Sequence, residues 1–208
     1  MQSFLKVDIQ ALAVAPLSQD ARGNKRAAIT LQGKAATFRF PRLRSPFGAS
    51  LWQDAEGNRK NIAFSCTPDV QAFCEQLDDQ ILGIAEQRSQ EFFGQKMGLE
   101  ALQALYTPLL RPSKDQAYPP TVRAKITLAG RKMVQCYDAS CHPRPPVDDW
   151  RCDVEPALCL THLWFQHKSF GAILDVTACK IYEEDVSCPF AEDEDVPPIT
   201  FCASRHGG

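Results

Sequence analysis

One helical signal stands alone in this chain, with alternating segments on both sides of it. Thr67-Pro68-Asp69 supplies a capping hydroxyl, a proline at the first helical position and an early acid for the helix dipole. Val70, Phe73, Leu77, Ile81, Ile84 and Ala85 then recur at three- and four-residue steps, predicting a helix to about Phe92 or Phe93 that ends near Gly94. A shorter helix over Leu99–Tyr106 stops at Pro108.

The flanking segments have period two. Thr121–Ala129 sends Val122, Ala124, Ile126 and Leu128 one way and Thr121, Arg123, Lys125 and Thr127 the other, a half-buried strand with a basic outer face. Phe4–Val14 reads as an opening strand. Ala27–Leu31 and Ala35–Phe40 bracket a turn at Gln32-Gly33-Lys34, and Asn61–Cys66 and Met133–Tyr137 are short strands. Ala157–Gln166 and Ala172–Tyr182 make a hairpin around His167–Gly171. Strands, a helical insertion at about 67–106 and further strands form an α+β pattern, best met by a small, curled antiparallel β-barrel. With 208 residues at 44% hydrophobic and 23% charged, residues 1–182 make one domain, with a Pro-rich loop at about 138–156. No apolar run is long enough to cross a bilayer, and the N-terminus lacks the basic-then-apolar pattern of a secretory signal.

A net charge of −2 hides a polar distribution. Arg22–Lys60 carries nine basic residues against Asp54 and Glu56. Asp69–Glu100 carries seven acids against Arg88 and Lys96. Glu183–Gly208 carries seven acids against Arg205, an acidic tail expected to be flexible. The local field over a groove, not the sum, decides whether a polyanion binds.

Nine cysteines, an odd number at irregular spacing, read as reduced thiols in an intracellular protein of nucleus or cytoplasm. Cys136, Cys141, His142 and Cys152 are the one weak candidate for a zinc site, because their spacing is not a standard one and prolines crowd the segment. His162 and His167 face opposite ways on a strand, and on a helix lie about 140° apart, so they make poor joint ligands. There is no phosphate-cradling glycine loop, nucleophile elbow, His-Glu-x-x-His pair or dinucleotide fingerprint. The expectation is a binding protein, not an enzyme, and without a cofactor.

Single-stranded nucleic acid is held by cations along its phosphates and by rings that stack on its bases. The basic block interleaves both types. The candidate phosphate contacts are Arg39, Arg42, Arg44, Arg59 and Lys60, joined later by Arg123 and Lys125. Trp52 and Phe47 are the candidate stackers. Trp164 is a weaker one, because its strand reads as covered on both faces. Phe38 and Phe40 share one strand face and are assigned to the core.

The tail segment Ala191-Glu-Asp-Glu-Asp-Val-Pro-Pro-Ile-Thr-Phe201 resembles the acidic, aromatic-ended tails of bacterial and phage single-stranded DNA-binding proteins. The likeness implies partner recruitment through Glu192, Asp193, Glu194, Asp195 and Phe201, although seven residues follow Phe201 here. The stretch from His162 to Tyr182 resembles the closing hairpin of the single-stranded DNA-binding proteins of short-tailed phages. An ordered set also resembles an uncharacterised family of large nucleocytoplasmic DNA viruses and some protists. It comprises Ser45-Pro-Phe-Gly48, Arg88-Ser-Gln-Glu-Phe-Phe-Gly94, Tyr106-Thr-Pro108 and Tyr118-Pro119 leading into Arg123-Ala-Lys-Ile126. These resemblances, spanning about Ala27–Tyr182, imply an OB-fold core and a replication, recombination or repair role, possible as a homo-oligomer and in a virus-infected cell. The alternative is a scaffold module whose basic block meets an acidic protein.

Overall fold

The computed structural model describes residues 2–50, 58–115 and 117–182. Its main elements are β1 (Lys25–Leu31), β2 (Lys34–Arg39), β3 (Arg59–Ser65), α1 (Pro68–Gln87), α2 (Ser89–Phe93), α3 (Leu99–Leu105), β4 (Thr121–Thr127), β5 (Asp153–Gln166) and β6 (Ser169–Tyr182).

The long β5–β6 hairpin is the spine. It pairs antiparallel from Asp153↔Tyr182 to Gln166↔Ser169, leaving only His167 and Lys168 as the turn. Two bulges interrupt it, at Thr177 on β6 and Thr161 on β5. In each, the threonine hydroxyl donates to a cross-strand carbonyl, Thr177 to Ala157 at 3.1 Å and Thr161 to Ile173 at 3.2 Å. Bulges bend and twist a strand, which curls this sheet into a concave outer face. The free edge of β5 is shared: residues 157–160 pair with β2 and residues 162–165 with β1. Gln32 and Gly33 join β1 to β2, both at positive φ (51° and 73°), the backbone of a type I′ hairpin turn.

The sheet order is β2-β1-β5-β6-β4-β3. It corrects the expected antiparallel barrel in two ways. The sheet is mixed, because β4 runs parallel to β6, and its path does not close among the described residues. Long connections around residues 128–152 bring β4 alongside β6 in the same direction, which a tight hairpin cannot do. The opening strand also differs: Phe4–Lys6 and Ile9–Ala11 are 3₁₀ turns, followed by strand pairing over Leu12–Val14.

The core lies between the inner sheet face and α1. Thr67 caps the helix by accepting from the Val70 amide. Val70, Cys74, Leu77, Ile81 and Ala85 are buried against Ile62, Phe64, Val122 and Ile126 of the sheet side of one continuous core. The predicted long helix breaks at Arg88 and resumes as α2, capped by Gly94 at φ 76°. Phe38 and Phe40 are core residues, as expected, both edge-to-face with Phe73. A second aromatic cluster joins Phe92 and Phe93 to Phe165 and Phe170 near the hairpin turn. No helix among the described residues is long and apolar enough to cross a membrane.

Candidate nucleic-acid interface

Period-two alternation sends every second side chain of β5 and β6 to the concave outer face. Opposed residues share that face, so the register fixes a series of rows. Nearest the turn, Arg26 of β1, Trp164 and Gly171 lie side by side, with Thr107 beyond them. Next come Ala28, His162 and Ile173. The middle row crosses five strands: Thr37, Cys159, Asp175, Lys125 and Asn61. At the far end lie Arg44, Asp153 and Tyr182.

Trp164 is half-buried and lies over Gly171. A methyl group on Gly171 would come within 3.0 Å of both indole Cζ2 and the Thr107 carbonyl oxygen. Only glycine lets the ring settle this close to the sheet. Two open hollows, of about 390 and 450 Å³, meet at Trp164 and Ile173. Arg111, Arg123, Lys125 and Asn61 line the first; Lys25, Arg26, Arg59 and His162 line the second. Cations from four separate chain segments thus surround one indole. Arg26, Arg111 and Arg123 form no ion pair among the described residues. Arg59 donates to Asp175. Burial holds the His162 imidazole below its ordinary pKa; Asp175 opposes that shift, while Arg26 and Arg59 add to it.

One wall of the first hollow is the segment Thr107–Leu109. A buried carboxylate on α1 holds it there. Tyr106 Oη donates to Asp78 Oδ1 at 2.6 Å, and the Leu109 amide donates to Asp78 Oδ2 at 3.1 Å. Desolvation pushes the Asp78 carboxyl up to about 6, against the lowering effect of those two donors.

The structure divides the predicted residues. Arg59, Arg123 and Lys125 reach the hollows. Lys60 does not: it pairs with core-facing Ile126, so the same alternation turns it to the opposite face from Arg59. Arg39 is exposed on the outer face opposite Ala157, between the two ends. Arg42 and Arg44 lie at the far end, eleven residues of β5 from Trp164, roughly 30 Å away. There Asp153 accepts from Arg42 at 2.9 Å and from Arg44 at 3.5 Å, and the Arg42 guanidinium stacks 4.3 Å over Tyr182. Phe47 is 72% exposed in the Ser45–Gly48 turn. Trp52, Glu192, Asp193, Glu194, Asp195 and Phe201 lie outside the described residues.

Arg26, Lys25, Arg111 and His162 also line the hollows without being candidates in the sequence, and Trp164, the weaker candidate stacker, stands between them. The signal for Trp164 was present. A hairpin turning between Gln166 and Ser169 must set Trp164 opposite Gly171. Placing Gly171 in the turn hid that pairing.

The weak zinc candidate is not assembled. Cys136 is buried with its thiol on the Val134 carbonyl, Cys141 is exposed, and His142 faces Asp138 at 3.3 Å. Among the described residues no three His, Cys, Asp or Glu side chains are placed to hold a metal ion.

Residues 50–194 match the model of a protein family described as "Family of unknown function (DUF5871)". The chain belongs to this family. No curated protein matches the sequence. In fold, this family member is similar to two solved structures. One is the single-stranded DNA-binding protein from bacteriophage Enc34, at TM-score 0.50 and 9% identity, covering 88% of this chain and 95% of that one. The other is gp2.5, a single-stranded DNA binding protein encoded by bacteriophage T7, at TM-score 0.50 and 10% identity, covering 76% and 96%. The resemblance read from the closing hairpin is met at the level of fold.

Proposed function

We propose that this protein is a non-catalytic single-stranded DNA-binding protein, acting inside the cell in replication, recombination or repair. The observation that carries the reading is the ring of cations around Trp164 on the concave face. Bases stack on the indole, while Lys25 and Arg26 on one side and Arg111 and Arg123 on the other neutralise phosphates. Arg39 and Lys125 extend the track. The fold similarity to two proteins named for single-stranded DNA binding supports the same reading. In this reading the open sheet is a relative of the OB barrel, and the family belongs to large DNA viruses and protists. Trp52 and Phe47 add stacking surface. The tail residues Glu192–Asp195 and Phe201 compete for the cationic face when DNA is absent and recruit partner proteins when it is present.

Titration of the full chain with oligo-dT at several salt concentrations tests this. The expected result is binding that weakens by about 0.7 log units per neutralised phosphate for each log unit of salt. Absence of salt-sensitive binding near micromolar concentration would instead favour the scaffold reading, in which the same face meets an acidic protein.

A further inference from the structure

The cationic face carries carboxylates too: Asp20 lies at the side of the second hollow, beside Arg26, and Asp175 lies near the centre. Asp175 stands in the middle row with Cys159 on one side and Lys125 on the other. The row towards the turn holds Ile173 and His162, and Arg59 donates to Asp175 Oδ1. The Asp175 side chain keeps 30% of its surface exposed and Arg59 keeps 39%, so the pair presents polar atoms to the hollow. A negative charge under a polyanion costs affinity at every phosphate near it. Its position also differs from that of the cations. Asp175 lies on the central β5–β6 strip with Trp164, where bases would sit, whereas Arg26 and Arg123 belong to the flanking strands β1 and β4.

Building on the single-stranded DNA reading, we propose that Asp175 and Arg59 together read base edges, favouring bases with an exocyclic amine over thymine. A carboxylate offers only acceptors, and a guanidinium only donors. Cytosine matches that order: its N4 amine donates to Asp175, while the neighbouring N3 or O2 accepts from Arg59. Thymine can place its central N3–H on Asp175 and one carbonyl oxygen on Arg59, but its second carbonyl oxygen is then left against the carboxylate, whereas both acceptors of cytosine fall on the Arg59 side. The row of a stacked base on Trp164 leads directly towards this pair along the strip, through His162 and Ile173.

The test compares oligo-dC with oligo-dT on the full chain and on Asp175→Asn, with melting curves to show that the variant is folded. The expected result is dC binding about fivefold tighter than dT in the native protein. In Asp175→Asn the preference falls to near one, because dT tightens more than dC. Equal binding of dC and dT by the native protein, with both tightening equally in Asp175→Asn, would overturn the proposal and leave Asp175 as a charge partner of Arg59. Failure of both oligomers to bind the native protein would overturn the single-stranded DNA reading itself.

Discussion

The two ends of the concave face use the same kinds of residue to different effect. At the far end, Arg42 and Arg44 share one carboxylate, Asp153, and Arg42 covers the ring of Tyr182. The carboxylate offsets one of the two guanidinium charges, and Arg42 and Lys180 both lie over the Tyr182 ring, so ring and cations there are engaged with each other. At the turn end, Arg26 flanks Trp164 and lines one hollow, Arg123 lines the other, and the half-buried indole that borders both is seated on a glycine. Here, by contrast, no cation stacks on Trp164 among the described residues, and Gly171 admits the ring against the sheet. The count of basic residues along the chain does not distinguish these cases.

The largest contrast should come from the two rings. Trp164→Ala is expected to weaken oligo-dT binding about thirtyfold, from the loss of a stacking platform of about 2 kcal/mol. Tyr182→Ala should change it less than twofold. Because the chain has three tryptophans, the double variant Trp52→Phe/Trp150→Phe serves as the background in which Trp164 fluorescence can be followed. Equal losses for Trp164 and Tyr182 would erase the distinction between the ends.

Charge removal should separate the ends by a smaller margin. The double variant Arg26→Ala/Arg123→Ala should lower the salt slope of binding by about 1.4, and Arg42→Ala/Arg44→Ala should leave it nearly unchanged. Salt titrations of both variants read this directly. A larger drop in slope for the Arg42/Arg44 pair would move the track to the far end.

The smallest effect concerns the wall rather than the face. Asp78 holds its proton more tightly in the fold, at about 6, than at the ordinary carboxyl value of 3.8. Between these values the folded state binds more protons than the unfolded one, so stability falls as pH rises through the window. Thermal melts should show about 1 kcal/mol lost between pH 5 and pH 7, and Asp78→Asn should flatten that dependence. A melting temperature that rises over this interval in the native protein, and not in the variant, would contradict the assignment.

Local periodicity made the strands legible. Thr121–Thr127 alternates in the structure as it does in the sequence, which places Arg123 and Lys125 on the outer face in both. The helix start at Thr67-Pro68 was legible because capping chemistry is local. Three features were not. Lys60 was grouped with Arg59 by proximity in sequence, although neighbours on a strand face opposite ways. The pairing of Arg42 and Arg44 with the single carboxylate of Asp153 spans more than a hundred residues, and no local pattern announces a partner at that range. The mixed, open sheet depends on the parallel pairing of β4 with β6, which strand composition does not encode.

The central claim is that DNA lies across the turn end of the concave face. Photocrosslinking of the full chain to an oligo-dT carrying 4-thiothymine, followed by peptide mass spectrometry, tests it most directly. Adducts on the β5 segment containing His162 and Trp164 are predicted. Adducts confined to the Arg42–Arg44 segment, or to the outer side of α1, would contradict it.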